Sequence, residues 1–149
     1  MRKLIMIFAA LFISTAIFAT EPTRQLPKNG TRVNLVFGKK KIPAVLNDSK
    51  TASALITKLP YTVSVSRYSH DFCGNIDMRD FPYEQKDVFH GWKNGDINIT
   101  TTGDYISFLF AGENDGSSWG MVNLGVLDCP IEELSSLSGS YEVRIEKAD

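Results

Sequence analysis

Two segments of this chain alternate apolar and polar residues so regularly that they set the structural period for everything around them. In YTVSVSRY, Tyr61, Val63 and Val65 face one way and Thr62, Ser64 and Ser66 the other; near the end, Tyr141, Val143 and Ile145 alternate with Glu142, Arg144 and Glu146. Successive side chains of a β-strand point to opposite faces, so both segments read as half-buried strands. TRVNLVF (31–37) follows the same rule with Val33, Leu35 and Phe37 on one face, and Gly38-Lys39 turns the chain into KIPAVLN. Pro43 in that second strand implies an edge or a bulge, because proline donates no ladder hydrogen bond. DINITTTGDYISFLFAG supplies two more strands around a break near Gly103-Asp104, and the continuous run Phe108-Leu109-Phe110 implies burial on both faces. MVNLGVL (121–127) is a further strand, with Gly125 marking a bulge or a close backbone approach.

The period changes in two places. Ala52, Leu55, Ile56 and Leu59 recur at helical spacing, with Asp48 or Ser49 available as a cap and Pro60 as a stop. A second short helix begins at Pro130, turns Ile131, Leu134 and Leu137 inward and stops at Gly139. About seven strands, two short helices, no βαβ rhythm and no internal repeat specify a mainly β fold. The expected architecture is a closed or nearly closed antiparallel barrel over residues 31–149, its ends covered by the helices.

The N-terminus carries a different message. Arg2 and Lys3 precede a 15-residue apolar run, Leu4 to Phe18, and small residues stand at Ala16 and Ala19. That run is short for a membrane span, which needs about 20 residues, and matches a cleaved secretory signal over residues 1–19. TEPTRQLPKNG (20–30) then reads as a flexible leader. An exported protein, periplasmic or secreted, is expected, without stable membrane insertion after cleavage. Loss of Arg2 and Lys3 takes the formal charge from −1 to −3. No basic footprint for nucleic acid exists, and Lys39-Lys40-Lys41 reads as a solvated hairpin turn.

YSHDFCGN (68–75) concentrates reactive residue types in a chain with only two histidines and two cysteines. Adjacent Ser69, His70 and Asp71 cannot form a triad, because neighbouring side chains in an extended chain diverge. No metal-ligand spacing links His70, Asp71, Cys73 and His90. Cys73 with His70 or His90 could form a thiolate pair, but the duller readings are a buried thiol or a Cys73–Cys129 disulfide. That bridge would stabilise the fold by roughly 4 kcal/mol on the chain-entropy model. Trp92 and Trp119, each beside glycine in a loop, either plug the barrel or anchor a ligand. Residues 112–120 (GENDGSSWG) form a loop with too few ligands for calcium.

GNIDMRDFP (74–82), NGDI (94–97) and NLGVLD (123–128) together resemble the small bacterial cyclophilin-like domains, barrels related in fold to the prolyl isomerases. The resemblance extends over roughly residues 31 to 147 and implies a cyclophilin-like barrel. Where that family usually has Glu-Lys-Tyr after the Gly-Asn turn, this chain has Ile76, Asp77 and Met78. Asn123 stands where an arginine is common. A cleft of altered chemistry is implied. The catalytic cyclophilins follow Phe-His with arginine and use a downstream Gln-Gly-Gly; here Phe89-His90 precedes Gly91 and no such motif follows. Lowering an amide rotation barrier of ~18–20 kcal/mol needs a fixed donor and an apolar seat for the ring. Phe89, Trp92 and Phe110 are candidate seats, and Arg67 and Arg79 candidate donors. The expectation is an exported, non-catalytic, monomeric module without cofactor or metal that binds a peptide or small molecule through Arg67, Tyr68, His90, Trp92 and Trp119. A degenerate prolyl isomerase and an accessory subunit are the alternatives.

Overall fold

The computed structural model describes residues 24–114 and 116–149, so the expected signal segment and the first residues of the leader lie outside the described residues. The strands are β1 (Thr31–Phe37), β2 (Lys40–Leu46), β3 (Tyr61–Arg67), β4 (Asp71–Asn75), β5 (Phe89–His90), β6 (Asp96–Thr100), β7 (Tyr105–Leu109), β8 (Gly120–Leu127) and β9 (Ser140–Lys147). The helices are α1 (Lys50–Thr57) and α2 (Glu132–Ser135). Eight strands pair antiparallel in the order β2-β1-β9-β3-β4-β7-β6-β8, and a β2–β8 pairing closes the ring. Strand β5 hangs on the outside of β8 through Phe89 opposite Met121 and His90 opposite Gly120.

Alternation fills the interior. Val33, Leu35, Phe37, Val63, Val65, Val143 and Ile145 are all buried, together with Phe72, Phe108, Ile97 and Ile99 from the other half of the ring. Phe37 meets Phe72, Phe108 and Tyr141 edge-on with ring centroids 5.2, 5.8 and 5.4 Å apart, the preferred aromatic geometry. Ser49 caps α1 by accepting the Ala52 N–H at 3.1 Å, which decides between the two cap candidates. The lysine cluster straddles the turn: Lys40 and Lys41 already belong to β2 and pair with Glu133 and Glu146.

The closing seam is short. Only Ala44, Val45 and Leu46 of β2 pair with β8, and Pro43 stands at the end of that ladder, where its carbonyl still accepts the Asp128 N–H at 2.8 Å while proline has no N–H to return. Across from it, β8 bulges: Ile97 faces Gly125 while Asn98 faces Asn123, leaving Leu124 as the extra residue. A Cβ on Gly125 would lie 2.2 Å from the Val45 carbonyl oxygen, so the seam closes at this distance only over glycine. Gly125→Ala is expected to lower stability by about 3 kcal/mol, the upper end for overpacking. Urea unfolding checks this, and a change below about 0.5 kcal/mol, within surface-substitution noise, would contradict the seam as described.

Candidate functional site

Strands β4, β7 and β6 bury one face in the barrel and carry a mixed polar face outward. Asp71 and Cys73 of β4, Tyr105, Ser107 and Leu109 of β7, and Thr100 of β6 all line one cavity of about 860 Å³ on that outer face. The register aligns a polar row across four strands, Cys73 opposite Ser107, Ser107 opposite Asn98, and Asn98 opposite Asn123. Asn98 is buried and its carbonyl oxygen accepts from the Asn123 amide at 2.9 Å, which in turn is held by Asn47 at 3.1 Å.

Loops build the walls. Trp92 exchanges backbone hydrogen bonds with Asn114, at 2.8 and 3.2 Å, and its indole N–H donates to the Ala111 carbonyl at 3.0 Å. The Trp92 ring lies 5.6 Å from that of His70. Gly112, with φ at +63°, leaves room for the imidazole: a Cβ there would come within 2.5 Å of His70 Nδ1. Tyr68, whose N–H donates to the Asp71 carbonyl at 2.7 Å, is 60% exposed, and Trp119 is 50% exposed. Both line the same groove.

Burial pushes the Asp71 carboxyl above its ordinary range, opposed by the Ser107 hydroxyl and by the adjacent His70. Burial likewise raises the Cys73 thiol, with Ser107 opposing and the Asp71 charge adding to the rise. An activated nucleophile needs the reverse, a thiol with lowered pKa, so Cys73 is poorly suited to attack. Among the described residues, no cluster of three or more His, Cys, Asp or Glu could hold a metal ion.

Of the binding residues expected from sequence, Tyr68, Trp92 and Trp119 come together on this groove, joined there by His70, Asp71 and Cys73 of YSHDFCGN. His90 does not reach it. It lines a smaller neighbouring hollow of about 280 Å³ with Arg24, Phe89 and Asp96, and only Trp92 belongs to both. In that hollow the leader residue Arg24 pairs with the buried Asp96, which also accepts the Lys93 backbone N–H at 2.9 Å. Arg67 points elsewhere: its guanidinium donates to the Ser135 and Leu137 carbonyls at 2.8 and 2.7 Å and stacks 4.2 Å from the Phe110 ring. Arg79 is exposed and paired with Asp77. Phe110 is buried in the core. Sequence reasoning passed over Tyr105, Ser107 and Leu109. The i, i+2, i+4 spacing in YISFL was their signal, hidden by the apolar run FLF that overlaps its end.

The Cys73–Cys129 disulfide, one of the two readings open from sequence, is not formed. Cys73 projects from the outer face of β4 into the groove, whereas Cys129, just after β8, packs into the hydrophobic core.

A family model described as the cyclophilin-like family matches residues 35–146. The chain belongs to the cyclophilin-like family. A search of curated proteins finds no match. Among solved structures, the solution structure of a hypothetical protein from Archaeoglobus fulgidus is similar in fold, with a TM-score of 0.60 at 14% identity over 80% of this chain and 95% of that one. Within this cyclophilin-like chain, the departures noted from sequence have structural uses. Ile76 is buried in the core, Asp77 caps a single 3₁₀ turn at Met78–Asp80, and Asn123 anchors the polar row.

Thiol chemistry checks this description. Denaturation without reductant is expected to release two titratable thiols per chain. In the folded protein both should alkylate slowly near neutral pH, Cys129 more so, because its pKa is pushed up to about 11 and little thiolate exists. Recovery of no thiols would restore the bridge.

Proposed function

We propose that the protein is an exported, non-catalytic binding module that holds a peptide or small molecule in the groove over β4, β7 and β6. The observation that carries this reading is exposure. Tyr68 and Trp119, two of the three exposed large hydrophobic side chains among the described residues, both stand on the groove. Solvent-facing aromatics beside a cavity supply rigid contact area at low entropic cost. A volume of about 860 Å³ lies within the range of small-ligand sites. Isomerase chemistry draws less support, since no arginine lines the groove among the described residues, and Arg67 and Arg79 are engaged elsewhere. Export rests on the basic, apolar and small-residue succession of residues 1–19.

Trp92 and Trp119 are the only tryptophans and both line the groove, so intrinsic fluorescence reports occupancy without a label. Titration with short peptides and drug-sized fragments is expected to give a saturable change for at least one probe. Tyr68→Ala and Trp119→Ala should each weaken that probe about tenfold, the effect of removing a moderate anchor. Arg67→Met serves as the control: it should lose about 1.5–3 kcal/mol of stability with the charged hydrogen bonds yet keep the affinity. No saturable response, or a loss of affinity confined to Arg67→Met, would overturn the reading. N-terminal sequencing of protein recovered outside the cytoplasm should begin at Thr20, and recovery with Met1 retained would overturn the signal assignment.

A further inference from the structure

We infer that the ligand of this groove carries an organic cation, an alkylammonium or guanidinium group, seated over Asp71 between the surrounding aromatic faces. This deepens the binding reading and rests on it.

Three observations converge. First, charge: among the described residues that line the groove, Asp71 is the one carboxylate and there is no lysine or arginine. Second, partnership: the same sheet carries another sheltered carboxylate, Asp96, which the protein itself neutralises with Arg24 and a backbone N–H. Asp71 has no such cation among the described residues; its side chain is offered the Ser107 hydroxyl and the adjacent His70. A carboxylate taken out of water without a counter-charge is costly unless something else supplies one. Third, the walls: Tyr68, Trp92, Tyr105 and Trp119 surround the same space. Aromatic faces carry the negative lobe of a quadrupole and attract ammonium and guanidinium groups, more strongly where water is thinned. Neutral ligands could use the aromatic walls, but only a cation uses the walls and the carboxylate together. An anion would meet the Asp71 charge with only the His70 ring beside it, and no lysine or arginine among the described lining residues, to compensate. Burial raises the pKa of this carboxyl, with the Ser107 hydroxyl and His70 opposing the rise.

Such a cation could belong to a free amine or to a lysine or arginine side chain, and matched probes distinguish the two. Phenethylamine is compared with phenethyl alcohol, and acetyl-Gly-Lys-Gly-amide with acetyl-Gly-Gln-Gly-amide, by tryptophan fluorescence on the whole protein. In at least one pair the cationic member is expected to bind about tenfold tighter than its neutral counterpart, a sum of cation–π and charge-assisted contributions. The pair that discriminates identifies the source. Asp71→Asn should reduce that ratio to about one while the melting temperature holds or rises, since it removes a poorly solvated charge and keeps an acceptor for Ser107. Trp119→Leu, at an exposed position that tolerates change, should lower the ratio as well and serves if Asp71→Asn folds poorly. Equal affinity of cation and neutral isostere overturns the cation inference and leaves the binding module standing. A ratio unchanged in Asp71→Asn overturns it too. Failure of every probe, charged or neutral, to bind saturably ends both.

Discussion

The barrel depends on three residue pairs. Ala44, Val45 and Leu46 meet Leu127, Val126 and Gly125, and this pairing turns an eight-strand sheet into a ring. Without it β2 and β8 would be open edges with unsatisfied backbone groups, the usual hazard of a β-sheet. Closure brings β8 so near β2 that a side chain at Gly125 has no room. It also forces the adjacent bulge, which brings Asn123 round to face Asn98 in the polar row. Asn47, immediately past β2, then holds Asn123 by its carbonyl and its side chain. The seam therefore shapes the outer face of β6 as well as the inner one.

That outer face explains why β6 and β7 are buried more completely than β1 and β2. Every residue of β6 and all but Tyr105 of β7 are buried, because the loops around Trp92 and Trp119 lie over the side that a simple barrel would show to water. A strand covered on both faces is expected to read as a continuous apolar run rather than an alternation. FLF does so at residues 108–110. The covering is incomplete, however, and the space left between loop and sheet is the groove.

Much of the fold was legible because it rests on local periodicity. The alternation of YTVSVSRY and YEVRIEK, the cap at Ser49 and the turn at Gly38-Lys39 each depend on residues within one element. What was not legible depends on partners far along the chain. Arg67 ends a strand and carries an obvious charge, yet its destination is set by carbonyls 68 and 70 residues away, at the end of α2. Pattern alone offers no account of that. The cysteines fail for the same reason, since bridging requires their separation in space and the sequence supplies only their separation in number. Strand β4 was missed as an element because YSHDFCGN mixes polar and apolar residues, and its partners, β3 and β7, do not stand out beside it in sequence. The two tryptophans were the exception: glycine on one side of each marked them as loop residues, and loop aromatics have few places to go other than a plug or a rim.

Strand β4 also shows how the core protects the chemistry of the groove. Phe72 points inward to meet Phe37, Phe110 and Tyr141, and Gly74 passes so near the Ser64 carbonyl that a Cβ would lie 2.0 Å from it. Both residues fix the register of β4 against its neighbours. Because the period is two, the same register sends Asp71 and Cys73 outward together. A slip of one position would place Asp71 in the core and Phe72 in the groove, at the combined cost of a buried unpaired charge and a lost aromatic cluster. The groove's carboxylate is thus held in place by hydrophobic contacts on the opposite face of its own strand. Substitutions at Asp71 or Cys73 can alter the groove without touching those contacts, whereas substitutions at Phe72 or Gly74 disturb both faces at once.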